Sequence, residues 1–392
     1  MIQEIIQKHK ADLKILGSIA LIVIASRLII FFTAYAGLIF FQHKIDPFWP
    51  SMNGLWNHWD SYHYLSIAQE GYPPASAPVD RQSLIVFGPL YPLFIRFLGG
   101  LVHDLFLAGL LVSNLSLIIG GLFLYKLASL DYDSDTAWRA VKYLLVYPFS
   151  FFLSITFSEG LFLALFVGAT YFLRTKAWVY SGILAMMAVL TRPNTGPFLG
   201  IILIVEYMQE VNILEIIKNK LYGPWAKDLF NRSFVVLGLS LGVFIYLLIN
   251  KLIFDDWWKF IYFKKTQWYV HYIPIMDNIK DLINRTFIDK SIDSLVLWGP
   301  QLVSFFMALI LIFITMKRVR LSYVIYSLSF IFYIYSIFWL LSCARHMSTV
   351  FPLFLSMAVL SKNKSVDIVL TFLMTAGLIF YALLFSQGCN LL

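Results

Sequence analysis

One short segment of this apolar chain carries residues suited to acid–base chemistry. Residues 59–72 read WDSYHYLSIAQEGY, in which Asp60 and His63 stand three positions apart. In a helix, Asp60, His63 and Tyr64 would share one face, because residues three and four apart are neighbours there. The pattern therefore makes Asp60, with His63 beside it, a candidate pair for catalytic chemistry.

The aromatic residues of the same segment indicate where this helix lies. Trp59, Tyr64 and Leu65 supply an apolar body suited to a membrane surface. We expect Asn57 to cap the start of the helix and Gly71 to end it. Such an interfacial helix would present a carboxylate to a lipid-linked substrate, with Trp59 and Tyr64 lining the binding site.

Composition fixes the class of protein. The chain has 392 residues, of which 60% are hydrophobic and 18% aromatic, with a formal net charge of +8. Only 13% are charged, against about a quarter in soluble proteins, and the mean hydropathy is +0.76. We therefore predict an all-α, polytopic integral membrane protein with one domain, 1–392. The positive charge fits cytoplasmic Lys and Arg beside the spans and gives no reason to expect a nucleic-acid partner.

A span needs about 20 apolar residues, and we interpret about eleven apolar segments as spans, although the three between 160 and 208 are short. An N-terminus on the inside places the clusters of Lys and Arg at inner turns, as the positive-inside rule requires. The two long outer segments are then 42–105 and 254–294. The predicted spans lie near 15–41, 106–128, 140–157, 160–174, 177–191, 195–208, 232–253, 295–315, 321–341, 347–360 and 366–386.

Two features of the outer segments follow from this threading. Residues 87–101 are apolar, but counting them as a span would put every later basic cluster outside. We therefore expect a second interfacial helix there. The segment 254–294 alternates Trp and Tyr with charged residues such as Lys264, a pattern typical of an aromatic belt with a polar surface.

The same threading gathers the unusual polar residues on the outer face. The substrate-binding candidates are Glu159, Arg192, Asn194, Arg345 and His346. Acids on one side of a cleft and arginines on the other suit a phosphate-bearing donor and a hydroxyl acceptor. The membrane lipids around such a site would be further partners.

Each of these residues also has a simpler interpretation. Arg192 and Arg345 would reach lipid headgroups if they only snorkel. Glu159 would serve as a cap of the fourth span. His58 and His63 are also consistent with ordinary interfacial residues, and as metal ligands they lack an evident third partner.

Three further residues stay open at this point. Arg27 lies in the middle of the first span, where a charge is costly unless it is paired or faces a polar cavity. It would hold a lipid phosphate or pair with Glu159. Cys343 and Cys389 both fall on the outer side, where a disulfide is permitted. The sequence favours two free thiols over a disulfide, because it gives no distance between them.

Five sequence blocks together resemble a known family. In chain order they are WDSYHYLSIAQEGY, FGPLYPLFIRFL, VYPFSFFLSITFSEGLF, LTRPN and ARHMSTVFPLF, spread over residues 56–355. They resemble the motif blocks of the PIG-V family, the GPI mannosyltransferase II enzymes and their bacterial relatives, within the GT-C class of glycosyltransferases.

The resemblance implies a GT-C fold whose first outer loop carries the catalytic carboxylate on interfacial helices. It also implies a polyprenyl-phosphate sugar donor, such as dolichyl-phosphate mannose, and a lipid or glycan acceptor. By position, Asp60 and His63 match the family's acid and the residue three later, while Glu159, Arg192 and Arg345 match its outer polar residues. The Lys- and Ile-rich chain resembles bacterial relatives, so we expect a plasma-membrane enzyme with an outward-facing site and an acceptor other than GPI.

The implied reaction inverts a β-linked lipid-phosphate sugar to an α-glycoside. One carboxylate, Asp60, suffices as base because phosphate is a good leaving group whose charge arginines offset. We therefore expect no metal and no cofactor. A second hypothesis is a lipid or solute transporter or flippase with Asp60 and Arg27 as coupling charges, although transporter sites usually lie near the midplane. A third is a structural partner whose aromatic loops only anchor it.

Overall fold

The first third of the chain forms one long helix followed by the helices of a large loop. The computed structural model describes residues 2–289, 291–338, 340–389 and 391. Its first five helices are α1 (Ile2–Gln42), α2 (Phe48–Trp56), α3 (Asp60–Glu70), α4 (Val79–Gln82) and α5 (Leu90–Val102).

The predicted helix with the acid–base residues is α3, but its cap differs from the prediction. The helix begins at Asp60 and ends before Gly71, whose φ of +85° suits glycine. The residue before the helix is Trp59, with φ of +54°, and no side chain caps this end. Asn57 instead follows the last turn of α2. The prediction that Asn57 caps α3 is therefore wrong, because Asn57 ends the preceding helix, α2.

The second predicted helix of the loop is α5. It follows the 3₁₀ turn Ser83–Val86 and has 13 residues, a length of about 20 Å against a hydrocarbon core of about 30 Å. The segments Val79–Val86 and Leu90–Val102 meet at 100°. This part of the loop is therefore not a straight span.

The next five helices pack together as the centre of the molecule. They are α6 (Leu105–Ala128), α7 (Ser134–Val146), α8 (Glu159–Arg174), α9 (Trp178–Thr191) and α10 (Leu199–Glu210). The predicted span 140–157 is not one helix. It ends at Val146 and continues, after Pro148, as the 3₁₀ turn Ser150–Leu153, because proline disfavours helix at the residue before it.

The remaining helices complete the bundle and form the second long loop. A π-helical turn, Ser294–Trp298, runs directly into the fifteenth helix. These helices are α11 (Ile213–Lys218), α12 (Tyr222–Phe254), α13 (Lys259–Thr266), α14 (Ile275–Phe287), α15 (Gly299–Thr315), α16 (Leu321–Tyr335), α17 (Cys343–Met347), α18 (Phe351–Leu360) and α19 (Lys364–Ser386).

The helix lengths support a multi-pass membrane protein. Among the described residues, five helices are long and apolar enough to span, or up to seven if each bent pair counts as one span. The others of the eleven predicted segments overlap shorter helices such as α9 and α16. The five are Asp12–Gln42, Leu105–Ala128, Tyr222–Phe254, Ser294–Thr315 and Lys364–Ser386.

The two ends of α8 carry different polar clusters. Arg174, at its last turn, donates to Asp131, and buried Glu206 accepts from Arg320 at 2.6 Å. Glu159 lies at the first turn of α8, about 24 Å away along its 16 residues. The cluster that contains Glu159 is therefore separate from the cluster of Arg174 and Arg320, for which the sequence predicts a position on the cytoplasmic side.

The two cysteines are free thiols. Cys343 is buried in α17, and Cys389 is partly buried beyond α19. Of the two possibilities that the sequence left open, the structure contains the unpaired one.

Candidate functional site

Most of the predicted site residues line one cleft of about 440 Å³. The first turn of α3, the end of α9, α13, α16 and α17 form its walls. Glu159 and Arg27 are not among its lining residues. The predicted residues that line it are Trp59, Asp60, His63, Tyr64, Arg192, Asn194, Arg345 and His346.

Arg345 joins the two acids of the site. Its Nη2 donates to Asp60 Oδ2 at 2.6 Å, and its Nε donates to Glu159 Oε1 at 2.5 Å. Arg345 is only 4% exposed, so these charge-assisted bonds lie out of bulk water, where they are strong. Arg345 therefore does not snorkel to headgroups, and it fixes the orientation of the Asp60 carboxylate.

Glu159 lies outside the cleft lining and contacts two arginines that line the cleft. Its side chain is fully buried, and Arg192 Nη2 lies 3.2 Å from the same Oε1 that Arg345 binds. The carboxylate stands in the first turn of α8, where the helix dipole favours negative charge. Glu159 thus does not line the cleft itself, although the sequence makes it a substrate-binding candidate. It is a positioning residue that orients two arginines.

The histidines and Tyr64 contribute to the wall in different ways. The ring of His63 packs 5.2 Å from Phe87 and 5.4 Å from Trp268 between centroids. Burial lowers the pKa of His63, although nearby Asp60 opposes this shift. Tyr64 donates to Ser158 Oγ at 2.8 Å, and His346 Nδ1 lies 3.2 Å from Arg192 Nη2.

Arg27 lies away from this cleft. It is 2% exposed and donates to Leu145 O at 3.2 Å and to Ser150 Oγ at 3.3 Å. Of the two possibilities that the sequence leaves open, pairing with Glu159 is therefore wrong, and Arg27 does not line the cleft. The helix break after Val146 explains the position of Arg27, because it leaves the Leu145 carbonyl oxygen and the Ser150 hydroxyl free to accept from its guanidinium.

The second long loop supplies three cleft residues that the sequence does not identify. Lys264, Trp268 and Val270 line the cleft. Lys264 lies in α13, which is held at its start by buried Asn250, whose Oδ1 accepts from Phe260 N at 3.0 Å. Trp268 and Val270 follow the end of this helix. In the sequence, a lysine among aromatic residues predicts only a surface belt.

Helix α12 also anchors the first loop beside the cleft. Tyr246 donates to the carbonyl oxygen of Ile85 at 2.9 Å. Phe87 and Gly88 follow this turn and line the cleft. One spanning helix therefore sets the positions of both loops.

An apolar groove adjoins the cleft. It encloses about 500 Å³ and shares the residues Lys264, Val270, Tyr333 and Ile337 with the cleft. Ile261 and Phe332 extend its apolar wall. The cleft therefore shares part of its wall with a groove suited to a hydrocarbon chain.

Metal ligation and family membership have no direct support. Within the part of the chain that the structure describes, no group of three or more His, Cys, Asp or Glu side chains could hold a metal ion.

Comparison of the chain with protein-family models, curated proteins and solved structures gives no match. The PIG-V and GT-C resemblance therefore stays a prediction.

Proposed function

We propose that this protein is a glycosyltransferase that moves a sugar from a polyprenyl-phosphate donor to a hydroxyl of a lipid or glycan acceptor. We further propose mannose as the sugar, a GT-C fold with about eleven membrane passes, and a site on the outer face of a bacterial plasma membrane. The observation that carries this proposal is the cleft itself. A carboxylate, Asp60, is held there by Arg345 beside the cations Arg192 and Lys264.

Asp60 is suited to the role of base. Oδ2 is occupied by Arg345, whereas no hydrogen bond among the described residues uses Oδ1. In the proposed step, Oδ1 takes the proton of the acceptor hydroxyl as its oxygen attacks the anomeric carbon. The bond from that carbon to the phosphate oxygen breaks, and its electron pair leaves with the phosphate. Attack opposite the leaving group inverts the anomeric centre.

The charges of the cleft are suited to this leaving group. Asp60 and the buried Glu159 face the cations Arg192, Lys264 and Arg345. The cluster therefore has one positive charge in excess when Lys264 is protonated. Fixed cations stabilise negative charge that develops on a departing phosphate without a cost of reorganisation.

The apolar groove supports a lipid-linked donor over a nucleotide sugar. It meets the cleft at Lys264 and Tyr333, so a phosphate in the cleft would have a path for its hydrocarbon chain. A nucleotide sugar has no hydrocarbon chain to occupy this groove.

Transfer by the purified, full-length protein tests the proposal. We expect label from radioactive polyprenyl-phosphate mannose to appear in an extract of membrane lipids, and no label to transfer from GDP-mannose. In proteoliposomes, movement of the labelled donor across the bilayer without a glycosidic product would favour the transporter hypothesis and contradict this one.

A further inference from the structure

The three cations of the cleft, Arg192, Lys264 and Arg345, differ in whether they form ion pairs with acidic residues. Arg345 binds both Asp60 and Glu159, and Arg192 lies 3.2 Å from Glu159. Lys264 takes part in none of the ion pairs formed within the described residues. It is therefore the cleft cation whose charge the surrounding protein leaves uncompensated.

The groups in direct contact with the Lys264 ammonium are uncharged. Its Nζ donates to Asn194 Oδ1 and lies 5.2 Å from the centre of the Phe260 ring. Burial lowers the pKa of Lys264 to about 7, because a charge without a counterion is disfavoured there. A bound anion would supply the missing counterion.

Three hydrogen-bond donors in the same cleft as Lys264 have no partner among the described residues. Trp268 Nε1, Arg192 Nη1 and Thr195 Oγ1 are buried and have no hydrogen-bond partner among the described residues. All three residues line the cleft with Lys264, and Thr195 is 5% exposed. Buried polar groups are normally paired, so a set of orphaned donors beside an uncompensated cation indicates a place for an oxyanion.

We propose that Lys264, Arg192, Trp268 and Thr195 form the phosphate-binding wall of the cleft, and that its ligand is the phosphodiester of a lipid-linked donor. This inference rests on the proposed function and deepens it. The single excess positive charge matches a phosphodiester, which carries one negative charge. Arg345 then acts as a positioning residue for Asp60 and not as the main phosphate ligand.

Direct binding of a phosphorylated isoprenoid tests this assignment without any sugar transfer. The probe is farnesyl phosphate, a short analogue of the proposed lipid product, with farnesol as the control that lacks phosphate. Calorimetry on the full-length protein in detergent gives the dissociation constants. We expect farnesyl phosphate to bind at least 10-fold more tightly than farnesol, as one or more charge-assisted hydrogen bonds would require.

Two lysines of the second long loop provide a matched pair of variants. Lys264→Gln should weaken farnesyl phosphate binding by roughly 10- to 100-fold, whereas Lys264→Arg should retain most of it. Lys280→Gln removes the same charge from an exposed position of α14 that lines neither the cleft nor the adjoining groove, and it should change binding by less than about threefold. Equal losses in Lys264→Gln and Lys280→Gln would overturn the proposal.

A second variant keeps the test decisive if Lys264→Gln does not fold. Trp268→Phe removes the Nε1 donor and keeps an aromatic ring, so it should weaken farnesyl phosphate but not farnesol. Equal effects on both ligands would overturn the assignment. Phosphatidylglycerol is the competitor that identifies the source of the phosphate: if it displaces farnesyl phosphate at equal concentration, the site is a headgroup site and the donor assignment is wrong.

The outcomes also separate this inference from the proposed function. Phosphate-dependent binding through Lys264 in a protein that transfers no sugar would contradict the function and uphold the binding site. Normal sugar transfer and normal farnesyl phosphate binding by Lys264→Gln would uphold the function and overturn this inference.

Discussion

Arg345 donates to Asp60 at 2.6 Å although the two residues are 285 positions apart in the chain. The contact ties the first turn of α3 to α17 and leaves one carboxylate oxygen of Asp60 for a substrate. A guanidinium with fixed directions can hold a second acid with its Nε at the same time. This contact explains how a residue on a loop helix can have the fixed orientation that proton transfer requires.

Asp60→Asn should abolish most of the proposed transfer. The amide keeps the size of the side chain and an oxygen for Arg345, but it cannot accept the acceptor's proton. We expect turnover to fall by roughly 10²- to 10⁴-fold, with a melting temperature near that of the wild type. Asp80→Asn, an exposed acid of the same loop, is the control. Retention of more than about a tenth of the activity by Asp60→Asn would contradict a role as base.

Arg345→Lys should lower activity even though the charge is kept. A lysine ammonium cannot reproduce the two differently directed bonds to Asp60 and Glu159. Loss of one charge-assisted bond corresponds to a fall in kcat of roughly 10- to 100-fold. Arg318→Lys, at an exposed position, should be neutral. If kcat is unchanged in Arg345→Lys, the fixed geometry of Asp60 is not needed for turnover.

Gly88→Ala should disturb the cleft wall through the backbone. A Cβ at Gly88 would overlap the carbonyl oxygens of Leu190 and Thr191 at the end of α9, and backbone atoms cannot move aside cheaply. We expect a loss of stability of about 1–3 kcal/mol and a weaker donor interaction. Gly54→Ala, where no atom lies within 4 Å of the added Cβ, is the control. Chemical denaturation of both variants compares them, and equal stabilities would contradict the close approach seen at Gly88.

Donor binding should weaken as the pH rises above 7. Burial lowers the pKa of Lys264 to about 7, and only the protonated form offers a positive charge to a phosphodiester. The apparent KM for the donor should therefore rise by up to about tenfold per pH unit from pH 7 to pH 9. In Lys264→Arg the charge persists throughout this range, so KM should stay nearly constant.

The comparison with Lys264→Arg isolates this lysine from the other groups that face it. Those groups are the same in both proteins, so a matching pH profile in the two would contradict the prediction. They are Asp60, His63, Tyr64, Arg192, Tyr333, Arg345 and His346 in the cleft, with Lys265, His271 and Tyr272 along the adjoining groove.

Labelling from outside the cell tests the predicted sidedness of the site. In a background without Cys343 and Cys389, Val79→Cys should react with an impermeant maleimide, because Val79 is 50% exposed in the first long loop. Leu130→Cys, 42% exposed between α6 and α7, should react only after permeabilisation. Labelling of Leu130→Cys in intact cells would contradict an outward-facing cleft.

Local patterns in the sequence were sufficient for the helices and for several site residues. Hydrophobic segments located the long helices because helix formation and membrane partitioning depend on the residues within each segment. The end of α3 at Gly71 follows from a signal within the segment itself, whereas the Asn57 cap that the sequence predicts for its start is absent. Charge placement also brought Asp60, Arg192 and Arg345 to one end of the bundle.

Only the tertiary structure decided which of these residues are partners. Arg27 bonds to Leu145 and Ser150 and not to Glu159, because a proline breaks the predicted helix beside it. Glu159 supports the cleft from behind, and Lys264 reaches it from a loop that composition assigned to the surface. Such contacts join residues that are distant in sequence, and a side chain's partners depend on where other helices end. Local periodicity carries no information about those distances, whereas the packing of the helices fixes them.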